Sequence, residues 1–407
     1  MRVVGMGVVL AHWRAERRTI RQGFAALVTA SLGNLVAGLT LGSITGTLEM
    51  LPGLIVLVPA AIGMRGNIFG ALGSRLGTSI HAGLFEASRR RQGILYQNVY
   101  AATLLTVAIS VALGILARTL SLAFGAPSIS LFDLVLISLL GGAISSVFVG
   151  AFTVALSVQA YRRGWDLDSV AAPLITAAGD IVTIPSLFLA TFAVRVEAIS
   201  TALAVVSILL AVVATVRGLS TALAAARRVV RQSLPVLVLA GSVDILAGLV
   251  IDSRLEHFLE FQVFLVLLPP FLADAGALGA ILSSRLSSKL HLGVVTPRGL
   301  PERAAVLDAT IILLFSLWIF ALVGAAADLV ARIFNFNSPG DLVVVGVSLL
   351  AGVMSTCVAI GVAYYAAVVT SRRGLDPDNY GIPLITSSMD FAGVIALVVA
   401  MRAFGVA

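Results

Sequence analysis

The sequence predicts an all-α, polytopic membrane protein of about eleven transmembrane helices, built as two five-helix parallel repeats joined by a linker helix. Three observations predict this. Of the 407 residues, 59% are hydrophobic and only 12% are charged, about half the charged share of a soluble domain. Runs of about 20 apolar residues recur along the chain, each long enough to cross a bilayer as a helix. The chain also repeats itself at one constant offset of 210 residues, as Ser74-Arg75-Leu76 against Ser284-Arg285-Leu286 shows.

The predicted spans are 22–47, 52–77, 98–121, 131–160, 173–194, 198–216, 234–251, 262–288, 304–330, 341–370 and 382–405. Before them, Arg14, Arg17, Arg18 and Arg21 follow only a short apolar run. This is not the pattern of a signal peptide, and an amphipathic segment on the membrane surface is expected over residues 1–21. Counted by side with the N-terminus in the cytosol, 21 of the 27 basic residues fall at inner loops or helix ends and five at outer ones, and Arg65 lies inside a span. The asymmetry places the N-terminus in the cytosol and the C-terminus outside, in keeping with an odd number of spans. The net charge of +7 thus reflects membrane orientation, and no nucleic-acid partner is expected. The single cysteine, Cys357, excludes an intrachain disulfide.

The offset of 210 pairs many further positions. His81 matches His291, Ser138-Leu139-Leu140 matches Ser348-Leu349-Leu350, and Arg162-Arg163-Gly164 matches Arg372-Arg373-Gly374. Each repeat holds five spans, 22–195 in the first and 218–407 in the second. A sixth span at 196–217 has no counterpart and returns the chain to the starting side. The repeats therefore share one orientation, a dimer fused into a single chain.

Two ionisable residues stand out. Pro173-Leu174-Ile175-Thr176 runs on to Asp180, and Pro383-Leu384-Ile385-Thr386 runs on to Asp390. An acid at that depth is costly and marks an ion path, a relay or a buried pair. Thr176 and Asp180, like Thr386 and Asp390, are four residues apart and share a helix face. First-turn prolines at 173 and 383 would simply start these helices. Two nearby carboxylates repel, and a hard divalent cation resolves the repulsion. Magnesium heads the candidate cargo, with manganese, cobalt and other divalent cations behind it. The second span offers Pro59, Arg65, Gly66 and Asn67 in repeat one and Pro269, Pro270, Asp274 and Gly276 in repeat two. Such Pro and Gly density is expected either to break the helix toward a cavity or to allow close packing. Arg65 is expected to be neutralised or turned away, with Asp274 one candidate partner. The first span adds Asn34 and, at the paired position, Asp244. Asp252, Glu256 and Glu260 read as a solvated outer loop or an acidic vestibule. Asp166, Asp168, Asp376 and Asp378 read as helix caps and local ion pairs or a cytosolic cation site at the pore mouth.

These residues resemble the MgtE magnesium transporter family and the related solute carrier family 41. The resemblance rests on Pro59 followed by Gly66-Asn67, on Ser74-Arg75-Leu76, on Asp376-Pro377, and on the Pro, Thr and Asp pattern of both fifth spans. It covers both repeats. It implies a magnesium-selective pore on the symmetry axis of a single-chain pseudo-dimer in the cell membrane. It implies that Asp180 and Asp390 coordinate hydrated Mg2+, assisted by backbone carbonyls at Thr176 and Thr386. The candidate metal set is completed by Asn34, Asp244, Asn67 and Asp274. Repeat two departs from the motif with Gly276-Ala277. MgtE proteins also carry large cytosolic CBS-containing sensors, and this chain is expected to lack room for them. Two alternatives make different demands on the sequence. An intramembrane aspartyl protease needs a Gly-x-Gly-Asp motif, where Ala177-Ala178-Gly179-Asp180 and Ser387-Ser388-Met389-Asp390 stand. A secondary transporter of another solute is disfavoured by the paired acids and the lack of intramembrane lysine. No enzyme activity is expected.

Overall fold

The computed structural model describes residues 6–88, 90–163, 167–194, 197–291, 293–296, 299–373 and 381–407. Its helices are α1 (Met6–Ala15), α2 (Arg17–Ser43), α3 (Thr45–Met50), α4 (Leu54–His81), α5 (Ile94–Ala123), α6 (Leu131–Arg163), α7 (Leu167–Thr191), α8 (Glu197–Ser220), α9 (Ala224–Asp252), α10 (Leu255–Glu260), α11 (Val263–His291), α12 (Arg303–Ile333), α13 (Asp341–Arg373) and α14 (Ile382–Ala403). Among the described residues, eleven are long and apolar enough to cross a membrane, and they coincide with the eleven predicted spans. Two details differ from expectation. Residues 255–260 form the short helix α10 rather than a loop. Pro173 lies well inside α7, whereas Pro383 does sit in the first turn of α14.

Helix ends follow local chemistry. After α5 and α12 the chain turns through Gly125 and Asn335, both with positive φ (69° and 55°). The next amides, of Ala126 and Phe336, reach back 2.8 Å to the carbonyls of Ser121 and Ala331. This is the left-handed cap that glycine and asparagine tolerate best.

The chain forms two compact units, one of residues 1–38 with 256–407 and one of residues 39–255. The sequence repeat and the compact unit are different divisions of the chain. In the second unit α9 packs on α4 and α5, and α6 packs on α5 and α7. A Cβ on Gly248 of α9 would overlap the Val56 backbone of α4. In the first unit α11 to α14 pack together, and α2 lies against α11 and α12. There a Cβ on Gly38 would overlap the Val266 carbonyl oxygen, and Phe24 meets Phe315 at 6.0 Å between ring centroids. Positions 38 and 248, and 56 and 266, are each 210 apart. The same glycine contact is thus made twice, and each time the first span of one repeat rests on the second span of the other.

The second-span helices α4 and α11 are the most enclosed of the spans and α8 the least. Leu54 to Val58 and Val263 to Leu268 are buried without a break, as an all-round apolar core helix requires. In α8, Ser200, Ala204, Ser207, Ala211 and Ala214 form one buried small-residue stripe. Ala204 and Ala211 pack against Val111 of α5 and Val135, Leu136 and Leu139 of α6. The opposite face of α8, with Leu209, Leu210, Val212 and Val213, is exposed and apolar, as suits a helix facing lipid.

Expected outcome: Gly38→Leu and Gly248→Leu each lower the melting temperature in detergent. Overpacking of this kind costs roughly 1–3 kcal/mol, whereas Gly361→Leu, where a Cβ meets nothing, is tolerated.

Candidate functional site: buried acids beside glycine-lined helix contacts

The two fifth-span helices carry the same burial pattern. Thr176 and Thr386 are half-buried, and Asp180 and Asp390 are buried. What sets their place is the second span. In one unit, a Cβ on Gly66 of α4 would stand 3.6 Å from Thr176 Cγ2, and one on Gly179 would stand 3.4 Å from Arg65 Cβ. In the other unit, a Cβ on Gly276 of α11 would stand 3.6 Å from Thr386 Cγ2. Gly66 and Gly276, and Thr176 and Thr386, again differ by 210. Glycine lets the two backbones approach one turn before the acid in both cases.

The prolines of the second spans do not break them. Pro59 lies inside α4, and Pro269 and Pro270 inside α11. Each proline lacks the N–H that would have bonded four residues back, so the carbonyls of Ile55, Leu265 and Val266 lose their helical partner while the helix continues. Of the two expectations for this segment, close packing is the one realised.

Each unit contains four of the eight candidate residues. One holds Thr176 and Asp180 on α7, Asn67 on α4 and Asp244 on α9. The other holds Thr386 and Asp390 on α14, Asp274 on α11 and Asn34 on α2. Asn34, Asn67, Asp244 and Asp274 are all buried. Asp274 accepts from the hydroxyl of Ser31, 2.8 Å from both carboxylate oxygens. Among the described residues, no three His, Cys, Asp or Glu side chains are grouped to hold a metal. Asp166, Asp376 and Asp378, and the side chains of Asp168, His81 and His291, lie outside the described residues.

Arg65 is turned away from α7. Its Nη1 donates to the Gly142 carbonyl (3.0 Å) and to Ser146 Oγ (2.5 Å), and its Nη2 donates to Ser110 Oγ (2.9 Å). All three acceptors are neutral. The equivalent place in the second repeat is apolar. Phe320 stands where Ser110 does, and it packs on Phe271 with ring centroids 5.0 Å apart. The frame around this difference is the same: Ser138 donates to the Ser110 carbonyl and Ser348 to the Phe320 carbonyl, at 2.5 and 2.7 Å.

Sequence reasoning missed a charged cluster near the N-terminal end of α12. Asp308 is fully buried and accepts from Arg285 at 2.8 Å and Lys289 at 2.6 Å. Arg285 also meets Glu16 at 3.3 Å, and His12 lies 3.5 Å from Asp308. In the first repeat the same positions hold a simpler tie, Arg75 Nε to Asn98 Oδ1 at 2.8 Å. The signal lies in the repeat: Arg75 pairs with Arg285 at the offset of 210, and so does Asn98 with Asp308.

Compared with known families, the chain matches the model described as "MgtE: Divalent cation transporter" over residues 58–190 and again over 268–400. The chain belongs to the MgtE family. The start and end of the second match each lie 210 residues after those of the first. Among curated relatives, this MgtE-family chain is 23% identical to solute carrier family 41 member 3 of Rattus norvegicus over 401 residues, covering 90% of this chain and 83% of that one. It is 24% identical to solute carrier family 41 member 2 of Xenopus laevis over 416 residues, covering 92% and 70%. No solved structure matches it.

Expected outcome: Asp308→Ala removes the acceptor of Lys289 and leaves Arg285 with Glu16 alone, and destabilises the protein by about 1–3 kcal/mol, whereas Asn98→Ala, which removes one hydrogen bond to Arg75, costs less. Thermal melts of the two variants in parallel check the order.

Proposed function

We propose that this divalent cation transporter carries Mg2+ across the cell membrane, with Asp180 and Asp390 as the paired carboxylates of the ion path. The observation that carries the reading is the repeated Thr-x-x-x-Asp face: twice in the chain a buried acid lies one turn beyond a half-buried threonine packed on a second-span glycine. Mg2+ keeps much of its water and typically needs only one or two carboxylates. Two ionised acids brought near one another repel, and a divalent ion between them removes the repulsion.

In this reading the backbone carbonyls of Thr176 and Thr386 receive water of the hydrated ion one turn from the acids. Asn34, Asp244, Asn67 and Asp274 line the approach. The two repeats run parallel and act as a single-chain pseudo-dimer, residues 22–195 and 218–407, joined by the span at 196–217 and preceded by the surface segment 1–21. The distribution of basic residues supports a cytosolic N-terminus and an outer C-terminus. Manganese and cobalt, divalent ions that carboxylates also bind, compete with Mg2+ for entry.

Expected outcome: in proteoliposomes the wild type takes up Mg2+, and the Asp180→Asn/Asp390→Asn double variant, monodisperse and with its melting temperature retained, takes up none above protein-free vesicles. Undiminished uptake by the double variant overturns the ion-path assignment. Mg2+ should also raise the melting temperature of the wild type and leave that of the variant unmoved.

A further inference from the structure

Arg65 presents a physical problem that the fold itself answers in part. A guanidinium buried in a membrane-spanning helix is costly, and Arg65 is 1% exposed. Packing does not require it. The second repeat fills the equivalent place with Phe320 on Phe271 and keeps the same serine-to-carbonyl tie between its third and fourth spans. The chain therefore contains an apolar solution to the same packing task, and replacing buried charge by well-packed apolar groups is often neutral or stabilising. The charge of Arg65 needs another reason.

Its partners show what kind of reason. The guanidinium donates only to neutral oxygens, those of Gly142, Ser146 and Ser110. Among the described residues it makes no ion pair. Hydrogen bonds to neutral groups hold the side chain in place without cancelling its charge, so its field persists in a medium that screens poorly. The backbone of α4 at Arg65 lies against Gly179 of α7, the residue before Asp180. The positive charge is thus fixed in the same unit as Asp180, one side chain's length from the helix contact that positions that acid.

We propose that Arg65 is a charge-tuning residue for the transported cation: a tethered positive charge, held off the path by Ser110, Ser146 and the Gly142 carbonyl, that weakens cation binding at Asp180 enough for the ion to leave. The inference rests on the assignment of Asp180 to the ion path. A conducting site must bind well enough to admit an ion and weakly enough to release it. Buried aspartates alone satisfy the first demand and work against the second. A fixed cation nearby lowers the affinity for a divalent ion more than for a monovalent one, because the repulsion scales with the ion's charge. It offsets the acids in one half of the chain only, since position 275, the counterpart of Arg65, is alanine.

The test transplants the second repeat's solution into the first. Arg65→Ala/Ser110→Phe removes the charge and fills the space, and Arg65→Lys keeps a charge without the forked hydrogen bonds. Both are reconstituted as full-length protein in liposomes, and Mg2+ uptake is measured across a range of Mg2+ concentrations. Calorimetric titration with Mg2+ on protein in nanodiscs reads binding directly. The proposal expects Arg65→Ala/Ser110→Phe to bind Mg2+ roughly tenfold more tightly, with KM and turnover both falling, where tenfold corresponds to about 1.4 kcal/mol. Arg65→Lys should stay near the wild-type KM even where its melting temperature drops. A purely structural arginine gives the opposite pattern: wild-type KM and turnover in the apolar variant once its stability is restored, and a Lys variant impaired in proportion to its lost stability. That pattern overturns the proposal. Should Arg65→Ala/Ser110→Phe fail to fold, Ser110→Ala/Ser146→Ala, which frees the charge to move, serves in its place; an unchanged Mg2+ affinity in that variant is equally fatal. Uptake that survives Asp180→Asn/Asp390→Asn refutes the ion-path assignment itself, whereas uptake that needs those acids but ignores Arg65 refutes only the tuning role.

Discussion

The organising constraint of this molecule is that polar groups inside a membrane must be satisfied by the protein. Hydroxyls meet it locally: Ser145, Thr153 and Ser157 each donate to the carbonyl four residues back, at 2.7–2.8 Å. Charges meet it according to depth. Asp308 and Asp328 lie five residues from the two ends of α12, where cationic side chains reach them with their heads close to water. Asp328 takes Arg332 at 2.7 Å, as Asp308 takes Arg285 and Lys289. Deeper charges have fewer options. Arg65 is held by three neutral acceptors and Asp274 receives a serine hydroxyl. Lipid cannot compensate these groups, so their positions are dictated by which helix brings a donor or an acceptor to their level.

Much of this was legible in the sequence. The spans were readable because hydrocarbon thickness fixes a minimum apolar length, and their boundaries agree with the helices to within a turn or two at most ends. The repeat was readable because at least fifteen identical residues fall at one offset. The partner of each first span was not readable. Gly38 and Gly248 look alike, and either could close on either second span; only the three-dimensional contact shows that each lies on the second span of the other repeat. The continuity of α4 and α11 through their prolines was also hidden. A proline removes one backbone bond, and an enclosed helix held by neighbours on all sides survives that loss.

The candidate site was legible in its residues and less so in its wiring. Thr176, Asp180, Thr386 and Asp390 were marked by repetition, and the structure adds the glycine contact that seats each threonine. Ser110 and Ser146, which hold Arg65, carry no mark of their own, since buried serines abound in these helices. Their signal lies in a difference between the repeats: Arg65 and Ser110 in the first correspond to Ala275 and Phe320 in the second, a change of two positions in concert. Ser31 was missed for the opposite reason. Its counterpart is Gly241 and that of Asp274 is Met64, so the pair exists in only one half and repetition could not point to it.

That asymmetry is open to a chain that carries both repeats. A homodimer of five-helix units must place the same side chain at both copies of every position, so a charge at one level is always a pair of charges. In this chain the halves have diverged where charge matters and agreed where packing matters. Arg118 ties to the Ser128 carbonyl at 2.9 Å, and at the equivalent positions Ser338 donates to Asp328 at 2.6 Å. The same helix-to-loop joint is closed with opposite charge. Arg65 corresponds to Ala275 and Asp274 to Met64, so neither has a twin. The glycine contacts at 38 and 248 and at 66 and 276, the serine ties at 138 and 348, and the threonine–aspartate faces at 176–180 and 386–390 stay duplicated, because they set helix spacing and hold the acids. The electrostatic groups around them are free to vary one at a time. In the proposed path, the two acids stay equivalent in sequence while the charge beside one of them differs.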